Sequence, residues 1–172
     1  MKKLYFILIL LLISVQVCFA GGVKTYKSPY FNYTIKYPDD WYTKNASGII
    51  FLMSPVTSDS DDFSENINII VQDIGKYKMN LKQYADYNYN LFPQHVPSFR
   101  LIDRGYTKVS GFEAYYMVYE KIDPDGRKVK HKVYTVLIGS IVYDITFSAD
   151  KSEYDNYLPQ AEQIIHSIKF GK

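Results

Sequence analysis

The chain has 172 residues, with 20 Lys or Arg against 18 Asp or Glu, and 18 of its side chains are tyrosine. The positive balance resides in Lys2 and Lys3; beyond residue 20 the charges cancel, which removes the basic footprint of a nucleic-acid binder. The only cysteine is Cys18, so neither a disulfide framework nor a thiolate metal site is available.

The N-terminus reads as a targeting segment. Lys2 and Lys3 precede an apolar run, Leu4 to Val17, and small residues stand at Cys18 and Ala20, the −3 and −1 positions of a cut after Ala20. The run is short of the about 20 apolar residues that span a bilayer. The expectation is a cleaved signal over 1–20, one domain over 21–172 and an exported protein, whether periplasmic, lumenal or extracellular. Lipid attachment at Cys18 is the alternative, disfavoured by Val17 where lipid signals carry a small residue.

Strand patterns follow. Phe31, Tyr33, Ile35 and Tyr37 alternate with polar residues, and Pro38 ends the run because it has no N–H for a ladder. Two further strands are predicted at Gly48–Pro55 and Ile67–Ile74, joined by the polar loop Thr57–Asn66. A helix then starts from Asn80, with Gln83 completing a capping box, and Pro93 and Pro97 are expected to stop it. Four strands succeed one another: Phe99–Val109, Phe112–Ile122, Arg127–Ile138 and Ile141–Ala149, with turn residues between them, so a mainly antiparallel sheet is predicted. Within Phe112–Ile122 both faces are apolar, which places that strand inside the sheet with cover on both sides. A last helix carries the stripe Leu158, Ala161, Ile164, Ile165 and Ile168, with Ser152 read as a cap and Pro159 as the first position of its main part. The order is β-β-β-α-β-β-β-β-α. The fold class is α+β: an antiparallel sheet flanked by helices on both faces, an α/β/α sandwich.

The chemistry-bearing residues are sparse. No G-x-S-x-G elbow and no glycine-rich phosphate loop is present, and His95, His131 and His166 lack metal-ligand spacing. Neither catalytic residues nor a cofactor is expected. Asp59, Asp61, Asp62 and Glu65 crowd one loop and form a weak calcium candidate without the EF-hand pattern; a solvated loop is the simpler reading. Lys128, Lys130 and Lys132 alternate along a strand and share one face, a candidate contact for an anionic partner or a membrane surface, or a guard against edge pairing. Trp41, the one tryptophan, follows Pro38 and two aspartates and is read as structural, folding back over the sheet.

The early FNYTIKYPDDW (31–41), the late ADKSEYDNYLPQAEQIIHSIKF (149–170) and the element order resemble the PsbP-like family. That family includes the extrinsic lumenal subunit of photosystem II, secreted bacterial relatives and distant Ran-binding proteins. The resemblance covers nearly all of the chain beyond residue 20, is closest to the bacterial secreted relatives, and implies the sandwich fold with Pro38 and Trp41 as its structural motif. With the export signal and the lack of catalytic motifs, it points to a non-catalytic module docking on a protein partner, membrane-associated or in the envelope; a monomer is expected. The competing expectations are a small exported enzyme, which clustered titratable groups in a deep pocket would favour. A carrier of a sugar or apolar ligand would be favoured by a pocket between helix and sheet.

Overall fold

A computed structural model describes residues 21–58 and 61–171. The expected signal, with Cys18, and Asp59 of the acidic loop lie outside the described residues.

Among the described residues, ten strands and two α-helices succeed one another as β1 (Val23–Lys27), β2 (Tyr33–Pro38), β3 (Tyr42–Ala46), β4 (Ile49–Met53), β5 (Asn66–Asp73), α1 (Leu81–His95), β6 (Arg100–Val109), β7 (Phe112–Ile122), β8 (Lys128–Ile138), β9 (Ile141–Asp150), α2 (Tyr154–His166) and β10 (Lys169–Phe170). A 3₁₀ turn, Gly75–Tyr77, precedes α1. Seven strands form one antiparallel sheet in the order β3-β4-β5-β9-β8-β7-β6; β1, β2 and β10 form a smaller sheet. The mainly antiparallel α+β architecture agrees with the expectation. Two helices cover opposite faces of the large sheet, and the small sheet shares the α2 side.

Local chemistry accounts for most boundaries. The β6–β7 hairpin turns through Ser110 and Gly111 at φ 51° and 86°, the paired positive values of a type I′ turn whose twist matches its strands. At the start of α1, Asn80 Oδ1 accepts from the Gln83 N–H and Gln83 Oε1 accepts from the Asn80 N–H, each at 2.9 Å, closing the capping box.

Two of the three prolines expected to bound helices behave differently. Pro93 lies inside α1, which runs on to His95. The stop is set by Pro97, whose ring drives Val96 to an extended φ of −108° and ψ of 104°. Pro159 sits within α2 rather than at its start, and Ser152 bonds Asp150 instead of capping the helix. The hydrogen bond that Pro159 cannot give would have gone to the carbonyl of Asp155; both residues are exposed, so water can take that place.

Strands β1, β3 and β10 have no clear signal in the alternation. All five residues of β3 are exposed, so an edge strand with no buried face shows no period of two. Strand β7 lies between β6 and β8 and has cover on both sides, as its two-faced pattern predicts. Ala114, Tyr116 and Val118 join the core under α2, while Tyr115, Met117 and Tyr119 join the cluster under α1.

Candidate ligand site under helix α1

The alternation that builds the core also builds a cleft. On β9, Ile145 and Phe147 point into the α2 core and are fully buried. Their neighbours Asp144, Thr146 and Ser148 therefore face the other way, toward α1. The same parity sends Asn68 and Ile70 of β5, and His131, Val133 and Thr135 of β8, to that side. Helix α1 packs over β7 and β8. What remains between the helix and the floor of β5 and β9 is a cavity of about 350 Å³. Phe92 and Tyr89 of α1 line it with Tyr119 and Met117 of β7. An adjoining recess shares Asn88, Phe92 and Asp144 with it and brings in the exposed tyrosines Tyr77 and Tyr87.

The titratable groups of the cleft are held uncharged or are already occupied. His131 is 8% exposed, stacks on Tyr119 at 4.7 Å, and its Nδ1 lies 2.8 Å from Ser148 Oγ. Its Nε2 is buried without a hydrogen-bond partner. Burial, with Lys121 adding to it and Asp123 opposing, depresses its pKa to about 4. Asp144 accepts from Thr135 Oγ1 at 2.6 Å and from Tyr84 Oη at 3.0 Å, and burial raises its pKa despite both bonds. Tyr84 is itself pushed up to about 12, chiefly by burial and then by the Asp144 charge. No Lys or Arg lines the main cavity.

The residues singled out in the sequence lie elsewhere. Lys128, Lys130 and Lys132 do share a face, but β8 is an interior strand, so they cannot guard an edge. They face the α2 side: Lys130 Nζ is 3.5 Å from Asp155 and 3.9 Å above the Tyr154 ring, and Lys132 Nζ is 2.7 Å from Glu162. Only Lys128 is exposed. Burial would raise the Glu162 pKa, but hydrogen bonds from His166, Lys132 and Tyr134 override it and bring it to about 2. Trp41 is 1% exposed; its indole N–H donates to Gln160 Oε1 of α2 at 3.1 Å, while its backbone N–H donates to the carbonyl of Pro38.

The described carboxylates of the acidic loop line one polar recess, and each is engaged by a protein group. Asp61 accepts from Thr57, Asp62 pairs with Arg127 at 2.7 Å, and Glu65 turns inward to Ser54 Oγ at 3.2 Å. Among the described residues no group of three acidic, His or Cys side chains is placed to hold a metal ion. The three histidines stay apart: His95 ends α1, His166 ends α2 beside Glu162, and His131 alone enters the cleft. The cleft residues form no motif in the sequence, because they come from five elements, β5, α1, β7, β8 and β9. The local signal is in IVYDITFSA, where Asp144, Thr146 and Ser148 put a polar side chain at every second position opposite Ile145 and Phe147.

The family model described as PsbP matches residues 21–170. The solution structure of cyanobacterial PsbP (CyanoP) from Synechocystis sp. PCC 6803 aligns with a TM-score of 0.64 at 16% identity, over 91% of this chain and 99% of that one. The protein of unknown function PA94 from Pseudomonas aeruginosa aligns at 0.65 and 16% identity, over 88% and 99%. LpqN of Mycobacterium tuberculosis, described as involved in cell envelope biogenesis, aligns at 0.62 and 18% identity, over 87% and 92%. These likenesses concern the fold. No curated protein matches the chain.

Proposed function

The chain belongs to the PsbP family, and on that premise we propose that it is an exported, non-catalytic binding module whose working site is the cleft between α1 and the large sheet. Export is supported by the signal-like sequence before Gly21 and by the envelope role described for LpqN. The observation that carries the reading is the cavity of about 350 Å³, within the range of about 300–1,000 Å³ usual for small-molecule sites. Its lining combines aromatic rings with a few polar side chains, the composition that holds the apolar body of a small ligand and orients it.

The contact of Ser148 with His131 invites comparison with a hydrolase, and its geometry opposes that. A histidine with a pKa near 4 is a weak base at neutral pH. In a catalytic pair the second ring nitrogen meets a carboxylate that steadies the imidazolium. Here Nε2 meets none, and the nearby acid Asp144 is bound to Thr135 and Tyr84. The pair fixes a neutral imidazole rather than activating a hydroxyl.

The test is a fluorescence titration with N-phenyl-1-naphthylamine, an uncharged aromatic probe that brightens on leaving water. The unaltered protein should bind it saturably. Thr146→Trp, which fills the cleft from its floor, should abolish binding without changing circular dichroism. Absence of binding, or equal binding by the filled variant, overturns the reading. A docking contact with a protein or membrane partner through Lys128 is a subsidiary part of the proposal, since Lys130 and Lys132 already have partners on α2.

A further inference from the structure

Resting on the reading of the cleft as a ligand site, we propose that its ligand is an uncharged, planar aromatic molecule bearing an amide-like edge, a donor beside an acceptor, and that Asn68 reads that edge.

The floor supplies the first argument. Asn68 of β5 and Thr146 of β9 are direct partners in the ladder, so their side chains leave the same face of the sheet side by side, about 5 Å apart at Cβ. Both line the cavity, and both are only half-buried. Neither side chain hydrogen-bonds to another group of the protein among the described residues. A carboxamide at that position offers an N–H donor and a carbonyl acceptor in one plane. The group that takes both at once is another amide edge: a primary amide, a lactam or a heterocycle with adjacent N–H and C=O. Thr146 adds a hydroxyl beside it, able to donate or accept.

The walls supply the second. Phe92 of α1 and Tyr119 of β7 meet edge to face with centroids 5.3 Å apart, and Tyr89 stands beside them on the helix. Flat rings find stacked or edge-on partners against such walls.

Charge supplies the third. An anion entering the cleft meets no Lys or Arg side chain there and would lose its water without compensation. A cation meets a single carboxyl, Asp144, whose ionised form burial disfavours and whose oxygens accept from Thr135 and Tyr84, and a histidine held neutral between Tyr119 and Ser148. The site therefore selects against both signs of charge and for a molecule that hydrogen-bonds without ionising.

Four naphthalene probes of equal ring size test this by calorimetric titration: 2-naphthamide, 2-methylnaphthalene, 2-naphthoate and 2-naphthylmethylammonium. The amide should bind about tenfold more tightly than the methyl compound, the difference that paired hydrogen bonds make net of water. It should exceed both ions by at least as much. Asn68→Ala should bring the amide down to the methyl compound and leave the latter unchanged. In the unaltered protein the side-chain amide resonances of Asn68 should move with 2-naphthamide and stay put with 2-methylnaphthalene, which answers the question even if the variant misfolds. Equal binding of all four probes, preference for either ion, or an amide preference that survives Asn68→Ala overturns the proposal while leaving the cleft a ligand site. If no probe binds, the cleft reading itself fails.

Discussion

The two faces of the large sheet are made by the same strands and have opposite character. On the α2 face, Ile145 and Phe147 of β9 meet Ile164, Ile165 and Ile168, and Trp41 closes the layer; all are at most 1% exposed. Its polar groups are matched: Glu162 accepts from Lys132 and Tyr134 at 2.7 Å, and Trp41 donates to Gln160. On the α1 face the same β9 presents Asp144, Thr146 and Ser148, and the helix leaves a cavity over them. One carboxyl is held well below its usual range on the first face and one is raised on the second. The contrast teaches that strand parity sends packed, charge-matched groups to one face and unmatched polar groups to the other, the face on which a ligand site is proposed. A filled, charge-matched layer resists change, and the layer with unmatched polar groups is the one with free energy left for a ligand.

That division can be broken most strongly at Trp41. Trp41→Ala should cost about 3–5 kcal/mol in urea unfolding, because it opens a cavity in the sealed layer and orphans Gln160. A much smaller loss would mean the α2 face is not the stabilising one.

Next comes His131. Its folded pKa of about 4 lies below the unfolded value, so between the two the unfolded chain binds the extra proton. Stability is whole above pH of about 6.5 and declines as the pH falls toward 4, by about 3 kcal/mol at most. His131→Phe keeps a ring on Tyr119 and should remove that decline; urea unfolding at pH 7 and 4.5 in both proteins measures it.

Glu162 acts in a lower window. Its pKa of about 2 means that its contribution is present above the unfolded value near 4.5 and is lost as the pH falls through 2. Because the side chain is partly solvated, about 2 kcal/mol is at stake, and Glu162→Gln should flatten this part of the stability curve. A pH profile of thermal unfolding separates it from His131, since the two windows barely overlap.

The smallest effect belongs to the lysine row. Lys128→Ala should change stability by no more than about 0.5 kcal/mol, as for other exposed sites. Lys132→Ala should cost more, because it takes a partner from Glu162. Equal effects would show that the α2 face tolerates an unmatched charge at Glu162.

What the amino-acid sequence by itself determined is everything local in origin. Alternation in Phe112–Ile122 already marks a strand with two covered faces, and Asn80 with Gln83 already marks where α1 begins, because side-chain parity and capping depend on neighbours a few residues away. The same locality hid β3, whose residues have no buried face to betray a period, and misplaced the helix ends around Pro93 and Pro159, where solvent or the next proline decides the outcome. Only the tertiary structure decided which strands meet. The pairing of β5 with β9 spans the whole α1-to-β8 segment, and it alone sets Asn68 beside Thr146. Packing of α2 likewise turned the lysine row from a free surface into ion pairs with Asp155 and Glu162. A cleft is the space left when distant elements pack, and no local pattern encodes a space; its position follows from register and helix placement, which are settled by the summed burial of the whole chain.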